Sequence, residues 1–423
     1  MQSIQKQAIA VIGLGFVGLP LCQRFLEIGN TVHGIDVDQK KLGSIAKGDI
    51  DNPDIDKKYL SECINKGQFI LHHSGKGIAN ADVIIICVPT PLSRDHQPDL
   101  SYVTQAVSSI LPYLKENQLV CLESTTYPGT TEELIKPRIE AEGYQIGRNI
   151  FLAYSPERIN PGSTVPLKVI PKVVGGTTKE CLKRAVKVYQ SIFDTVHPVS
   201  STKAAEMTKI LENTQRFINI SFINDCAILC EEMNIDIFEV IEAAATKPYG
   251  FVPYTPGTGI GGHCIPIDPL YLSWKAQEFG HKSLLINIAN QINQKMPEYI
   301  TQKIIDFLLC KPKKLSSTVL LIGLAYKEDI NDVRESTALK IMENLLQRGI
   351  RVAYYDPYVL KVKINNKEYY SILESEINQY DVNVVLTPHS HLPYEEIYAS
   401  PKNTFDLKKF FVSSDQYGKE ENA

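Results

Sequence analysis

Short apolar runs alternate with helical stretches from Ala8 to about Val199. The runs AIAVI, TVHGID, DVIIICVP, LVCLEST, IFLAYSP and VVGG are rich in β-branched residues and bounded by Gly or Pro. Continuous apolar strands interleaved with helices predict a parallel sheet covered on both faces. From Ser201 the period changes. STKAAEMTKILENTQRFINISFINDCAILCEEMNIDIFEVIEAAAT spaces its apolar residues as helices do and holds no proline. It predicts two or more helices, with Ser200, Ser201 or Thr202 as the cap and Glu206 soon after. Another helix is predicted over 284–309, with Pro297 marking a break or restart. From Thr318 the strand pattern returns in VLLIGLAY, RVAYYDP and VNVVLTP, with a helix near 336–347.

Composition narrows the class. At roughly 100–200 residues per domain the chain has room for about two to four domains. With 423 residues, 43% hydrophobic and 22% charged, it is neither largely disordered nor collagen-like. Lysine plus arginine number 44 against 48 acids, a net charge of -4 with no basic cluster. No nucleic-acid footprint and no membrane-surface patch follow from that balance. Nine cysteines lie scattered, without C-x-x-C or C-x-x-H spacing. They predict neither a disulfide framework nor a zinc site, and point to a reducing, cytoplasmic setting. The N-terminus passes straight into a strand-like run, unlike a signal peptide. Residues 248–267 form a twenty-residue window with no Asp, Glu, Lys or Arg. Its four prolines and five glycines make a loop-rich segment, not a membrane span.

Chemistry enters at AIAVIGLGFVG, where Gly13, Gly15 and Gly18 satisfy G-x-G-x-x-G between a strand and a helix. The first glycine permits the turn, the second lets backbone approach a pyrophosphate, and the third lets helix and strand pack closely. A second strand ends at Asp36, eighteen residues after Gly18, where a carboxylate can accept from a ribose and would repel a 2′-phosphate. NAD is favoured over NADP, and Lys41 is a candidate contact near the ribose. The C-terminal region repeats the order of strand, Gly-containing loop, helix and strand, ending at Asp356. The expected fold is therefore α/β, two Rossmann-like doubly wound domains joined by a helical connector. The boundaries are 1–199, 200–310 and 311–423, with a hinge at 311–317 and a polar tail from about Ser413.

Inside the charge-free window, GTGIGGHCIPIDP places Cys264 among glycines, with Asp268 four residues on. Such glycines imply either backbone close to a ligand or turns that a Cβ would obstruct. Cys226 and Cys230, four apart on an apolar helical stretch, read as core, and His263 as packing or a substrate contact. A thiolate beside a dinucleotide site can add to an aldehyde, and the thiohemiacetal then loses hydride to become a thioester. That chemistry needs an oxyanion stabiliser and a base for water. Lys209 and Asn213, four apart, share one helical face.

These motifs, in this order, closely resemble the UDP-glucose/GDP-mannose dehydrogenase family over nearly the whole chain. The carriers are GLGFVGLP, VPTP at 88–91, ESTTYPGT at 123–130, SPERINPG at 155–162, STKAAEMTKILEN at 201–213, GIGGHCIPIDP ending at Pro269, and GLAYKEDINDVRES at 323–336. The resemblance implies a four-electron oxidation of a sugar-nucleotide C6 hydroxymethyl to a carboxylate, with two NAD per turnover and no metal. It implies Cys264 as the nucleophile, Lys209 and Asn213 as the oxyanion pair, Asp268 with Thr125 as managers of water and protons, and Glu157 as the acid in acid–base steps. It assigns Gly13, Gly15, Phe16, Val17, Gly18, Asp36, Lys41, Pro89, Thr90, Ser124, Thr125 and Arg334 to the cofactor. It assigns Glu157, Arg158, Lys209, Asn213, Tyr254, Thr255, Gly257, Gly259, Gly261, Tyr326 and Lys327 to the UDP-sugar. A homodimer formed through the connector is implied as well.

One departure bears on the substrate. The UDP-glucose branch commonly places a second carboxylate four residues after the SPE glutamate, where this chain has Pro161. SPERINPG, with ATKPYGFVPYTPGTGIGGHC, is most similar to the N-acetylated branch, especially UDP-N-acetylglucosamine 6-dehydrogenases. UDP-glucose, UDP-N-acetylgalactosamine and UDP-N-acetylmannosamine are the alternative substrates. A two-electron hydroxyacid-type dehydrogenase and a catalytically silent nucleotide-sugar sensor are the rival functions.

Overall fold

The computed structural model describes residues 6–50, 52, 55–93, 95, 97–159 and 165–411. The Pro161 departure and the tail from Ser413 lie outside them. The chain divides into two compact units, Met1–Glu212 with Leu270–His281, and Asn213–Pro269 with Lys282–Ala423.

The first unit is built on eight strands, β1 (Ala8–Ile12), β2 (Thr31–Ile35), β3 (Phe69–His72), β4 (Val83–Ile86), β5 (Leu119–Leu122), β6 (Phe151–Tyr154), β7 (Lys172–Gly176) and β8 (Val196–Val199). They lie in the order β3-β2-β1-β4-β5-β6-β7-β8. The first six run parallel in the order known for dinucleotide-binding sheets. Their unbroken apolar runs follow from burial on both faces. Ile9 and Val11 join Phe25 and Val32 in one core layer, while Ala10 and Ile12 join Val103 and Val107 in the other.

The expected all-parallel sheet fails at one joint, because β6 pairs with β7 antiparallel. A parallel return needs a long crossover, usually a helix. Among the described residues between these strands there is only a 3₁₀ turn, Leu167–Val169. The helix Lys179–Tyr189, capped by Thr178, then brings β8 in parallel to β7.

The second unit carries a smaller parallel sheet of β9 (Thr318–Ile322), β10 (Arg351–Tyr355), β13 (Val382–Val385) and β14 (Thr404–Phe405), in the order β10-β9-β13-β14. Between β10 and β13 lies a hairpin of β11 (Lys361–Ile364) and β12 (Lys367–Tyr370). Its two-residue turn is Asn365–Asn366, both at positive φ, as a primed hairpin turn requires. The helix Leu284–Leu309 has the expected bounds but runs straight through Pro297. The lost backbone bond, costing about 3 kcal/mol, is outweighed by the burial of Met296, Ile300, Ile304, Phe307 and Leu308 along the same helix. Ser201 is the cap of the Thr202–Glu232 helix, its Oγ accepting from the Ala204 N–H at 3.1 Å. Among the described residues no helix is long and apolar enough to cross a membrane. The charge-free window carries no regular element between Gly250 and Ile267.

Candidate functional site

The glycine loop of the first unit fits a dinucleotide. Gly13 stands at φ +91°, and a Cβ there would lie 2.6 Å from the Cys87 carbonyl oxygen. A Cβ at Gly18 would lie 2.0 Å from the Gly13 oxygen, so helix and loop close tightly. Gly15 has no atom within 4 Å of its Cβ position; the space a side chain would fill is open at the start of the helix Gly18–Glu27. Phe16 and Val17 flank that opening, Phe16 exposed and Val17 half-buried. Asp36, at the end of β2, accepts from the Leu14 N–H at 2.9 Å, the Asp38 N–H at 3.0 Å and Lys41 Nζ at 2.9 Å. Burial disfavours its charge, but these bonds outweigh burial and hold the carboxyl below its ordinary value. Lys41 therefore sits on the acid itself. Ser124, after β5, donates to the Val88 carbonyl at 2.7 Å; Thr125 and Thr90 are half-buried and Pro89 is exposed along the same edge of the sheet.

Glu157 lies just past β6, buried, with Lys172 Nζ at 2.9 Å from Oε2. Its Oε1 accepts from the Arg158 and Ile159 N–H groups at 2.6 and 2.7 Å. Arg158 does not extend into open space. Its guanidinium pairs with Glu212 on the Thr202–Glu232 helix at 2.6 Å. Lys209 is half-buried one turn earlier on that helix.

Two groups in this unit escaped the sequence reading. Lys172 reads as a charge flanking the strand VVGG, and nothing local announces that it is buried. Glu206 reads as an acid soon after the cap, yet it is fully buried. It accepts from the Gly129 N–H at 2.5 Å and from the Thr131 N–H and Oγ1 at 2.9 and 2.7 Å. Burial pushes its carboxyl up to about 7 against those bonds. It thereby ties the loop that follows Thr125 to the helix that carries Lys209.

In the second unit the glycine-rich loop is pinned from several sides. Gly257 N–H donates to Asn224 Oδ1 at 2.8 Å, and Asn293 grips both backbone groups of Ile260 at 2.6 and 3.2 Å. Gly262, at φ +83°, donates to the Arg334 carbonyl at 3.0 Å, and a Cβ there would strike the Tyr326 ring at 2.7 Å. The steric reading of the glycines is realised. Gly261 and Gly262 lie under Tyr326, Gly259 is packed by Thr337, and Gly257 faces open space. Tyr254 packs half-buried against the core and Thr255 is exposed.

Cys264 turns off this loop, half-buried, with its carbonyl accepting from the Asp268 N–H at 2.8 Å. Asp268, buried at the first position of the helix Asp268–Gln277, takes a short bond from Asn213 Nδ2. Cys264, Asp268 and Asn213 are therefore linked by consecutive hydrogen bonds. The exposed His263 has Nδ1 3.9 Å from Cys264 Sγ. Arg334 is held by both oxygens of Asp332, and Tyr326 N–H donates to the Asp332 carbonyl at 3.0 Å. Burial, with Arg216 nearby, draws the Lys327 ammonium below its ordinary value. Cys226 and Cys230 pack half-buried against the core, as expected.

The internal echo is real in backbone and unequal in chemistry. Gly323, at φ +81°, donates to the Tyr355 carbonyl at 2.9 Å, as Gly13 does to Ile35 at 2.8 Å. Asp356 accepts from the N–H groups of Leu324, Ala325, Tyr358 and Val359 at 2.7 to 3.0 Å. His389 Nδ1 accepts from Asp329 N–H, so its Nε2 is the donor to Asp356 Oδ2 at 3.2 Å.

The chain matches three models of the UDP-glucose/GDP-mannose dehydrogenase family: the NAD binding domain over residues 7–193, the central domain over 203–295 and the UDP binding domain over 320–413. It is 36% identical over 390 residues to protein CapL of Staphylococcus aureus, covering 90% of this chain and 89% of that protein. To the UDP-N-acetyl-D-glucosamine 6-dehydrogenase of Pseudomonas aeruginosa it is 35% identical over 393 residues, covering 92% and 89%. A solved UDP-D-ManNAc dehydrogenase from Pyrococcus horikoshii matches with a TM-score of 0.85 at 31% identity, over 96% of this chain and 100% of that one.

Proposed function

The chain belongs to the UDP-glucose/GDP-mannose dehydrogenase family, and on that footing we propose that it oxidises C6 of a UDP-N-acetylhexosamine to the uronate. UDP-N-acetylglucosamine is the favoured substrate, and two NAD are consumed per turnover. The observation that carries this reading is the linked set of Cys264, Asp268 and Asn213 in one glycine-rich segment. NAD, when bound, supplies the hydride acceptor for both oxidations.

The protein groups then have separable tasks. The Cys264 thiolate adds to the C6 aldehyde, forming a C–S bond and leaving an oxyanion. Asn213 spends one N–H on Asp268 and keeps the second of its two amide donors for that oxyanion, beside the Lys209 ammonium. After hydride loss the carbon is a thioester. Water held by Thr125 attacks it, one proton passing to Asp268 or Glu157 and one to the leaving sulfur as the C–S bond breaks and returns the thiol. Gly13, Gly15, Gly18 and Asp36 hold the dinucleotide; Tyr326 and Lys327 hold the UDP-sugar.

The N-acetylated sugar is supported by the SPERINPG run and by relatives named for N-acetylated sugars. Purified protein given UDP-N-acetylglucosamine, its galacto and manno isomers, UDP-glucose and GDP-mannose should yield two NADH per uronate, fastest with the first. One NADH per sugar would sink the four-electron reading. A faster manno isomer would move the assignment to that substrate.

A homodimer is part of the proposal. On the Thr202–Glu232 helix, Leu211, Phe222 and Leu229 are 58%, 61% and 54% exposed, yet lie within about 20° of one another at 3.6 residues per turn. An apolar stripe of this kind is a surface to be covered. Leu229→Glu should shift the mass measured by light scattering from dimer to monomer; an unchanged dimer removes this face from the assembly.

A further inference from the structure

Lys172 lies between two carboxylates, and both the lysine and its partners are buried. Its Nζ is 2.6 Å from Glu123 Oε2 and 2.9 Å from Glu157 Oε2. The rings of Tyr189 and Phe193 wall the ammonium at 5.3 and 5.2 Å from their centroids. Tyr189 Oη donates to Glu123 Oε1 at 2.5 Å and lies 3.1 Å from Cys121 Sγ. The strand fixes the lysine too, since Lys172 opens β7 in register with Val196 of β8.

We propose that Lys172 is a positioning residue for Glu157, fixing its carboxylate and keeping it ionised so that it accepts a proton during release of the uronate. The inference rests on the reading of Glu157 as a group of the reaction. The three bonds to Glu157 come from the ammonium and two backbone N–H groups, all donors that favour the charged form. Burial works against that charge, but Lys172 and the two amides outweigh it and hold the carboxyl below its ordinary value. Glu123 goes the other way: burial pushes it up, and the nearby Glu157 adds to the rise. The remaining titratable neighbours, Tyr189, Cys121 and Cys87, are raised by burial and stay neutral. Beyond them the Arg158–Glu212 pair is self-compensated. One cation thus serves two acids, and Glu123 is the one that takes up a proton first as pH falls.

The test is the pH dependence of kcat in Lys172→Met, Lys172→Gln, Lys172→Arg and Glu123→Gln, with Glu157→Gln as the reference. Lys172→Met should lose kcat by a factor on the order of 10², at the low end for removal of a general base, with little change in KM. Its acid limb should move to higher pH, because a carboxylate without the ammonium needs a higher pH to ionise. Lys172→Arg should return that limb towards its original position. Glu123→Gln should leave the limb in place, because Glu123 is already protonated at the pH where Glu157 titrates. Lys172→Gln, which keeps a donor without the charge, keeps the inference testable if Lys172→Met does not fold, and its limb should likewise move to higher pH. A limb that stays in place in whichever of Lys172→Met and Lys172→Gln folds, or one that moves in Glu123→Gln, overturns the inference. A fully active Glu157→Gln instead ends the reading of Glu157 itself.

Discussion

Cys264→Ala is expected to bind the UDP-sugar and NAD and to release no uronate, with kcat lower by a factor on the order of 10⁴–10⁶, the loss seen when a covalent nucleophile is removed. The loss should be chemical. The turn at Cys264 is made by its backbone carbonyl, which accepts from Asp268 and Ile267 N–H groups, and alanine keeps that acceptor. The side chain is only half-buried, so its removal opens little of the core. Without the thiol no thioester can form, and oxidation stops at the aldehyde or before it. Calorimetric titration with each ligand, with mass analysis of the product, separates the cases. Uronate formed at the normal rate would remove the cysteine from the reaction.

Lys209→Ala should reduce kcat by a factor on the order of 10²–10³, as loss of one oxyanion donor does, and change substrate affinity far less. An ammonium aimed at charge that develops only during reaction stabilises the transition state more than the bound substrate. Alanine is the strongest helix former, so the Thr202–Glu232 helix, with Asn213 and Glu206 on it, should persist. Steady-state kinetics read the split directly. A large rise in KM with kcat unchanged would make Lys209 a ground-state binding residue.

What was legible in the sequence is what backbone geometry forces on it. Gly13 and Gly18 stand where a Cβ would collide with main chain, so their spacing could be read without a fold. The helix Leu284–Leu309 showed its bounds by periodicity, yet Pro297 suggested a break, because a local cost is visible in a string and the burial that outweighs it is not. The reversal of β7 against β6 depends on what lies between the strands, and VVGG carries no arrow. The hairpin at Asn365–Asn366 had a signal, two residues that tolerate positive φ, in a stretch too short and polar to draw notice. Lys172 had none. Its meaning comes from Glu123 and Glu157, 49 and 15 residues away, and only the sheet brings them together.

The two aspartates that follow matching strands illustrate a counting rule for a repeated backbone pattern. A carboxylate offers about four lone-pair sites. Among the described residues, Asp36 receives three donors, one of them a movable lysine. Asp356 receives five, four of them main-chain and the fifth from fully buried His389. The first acid therefore has acceptor valence left for a visiting hydroxyl, and the second is saturated from within. The same acid following matching strands is thus left open to a ligand in one unit and made internal scaffolding in the other, and the difference lies in the donors around it.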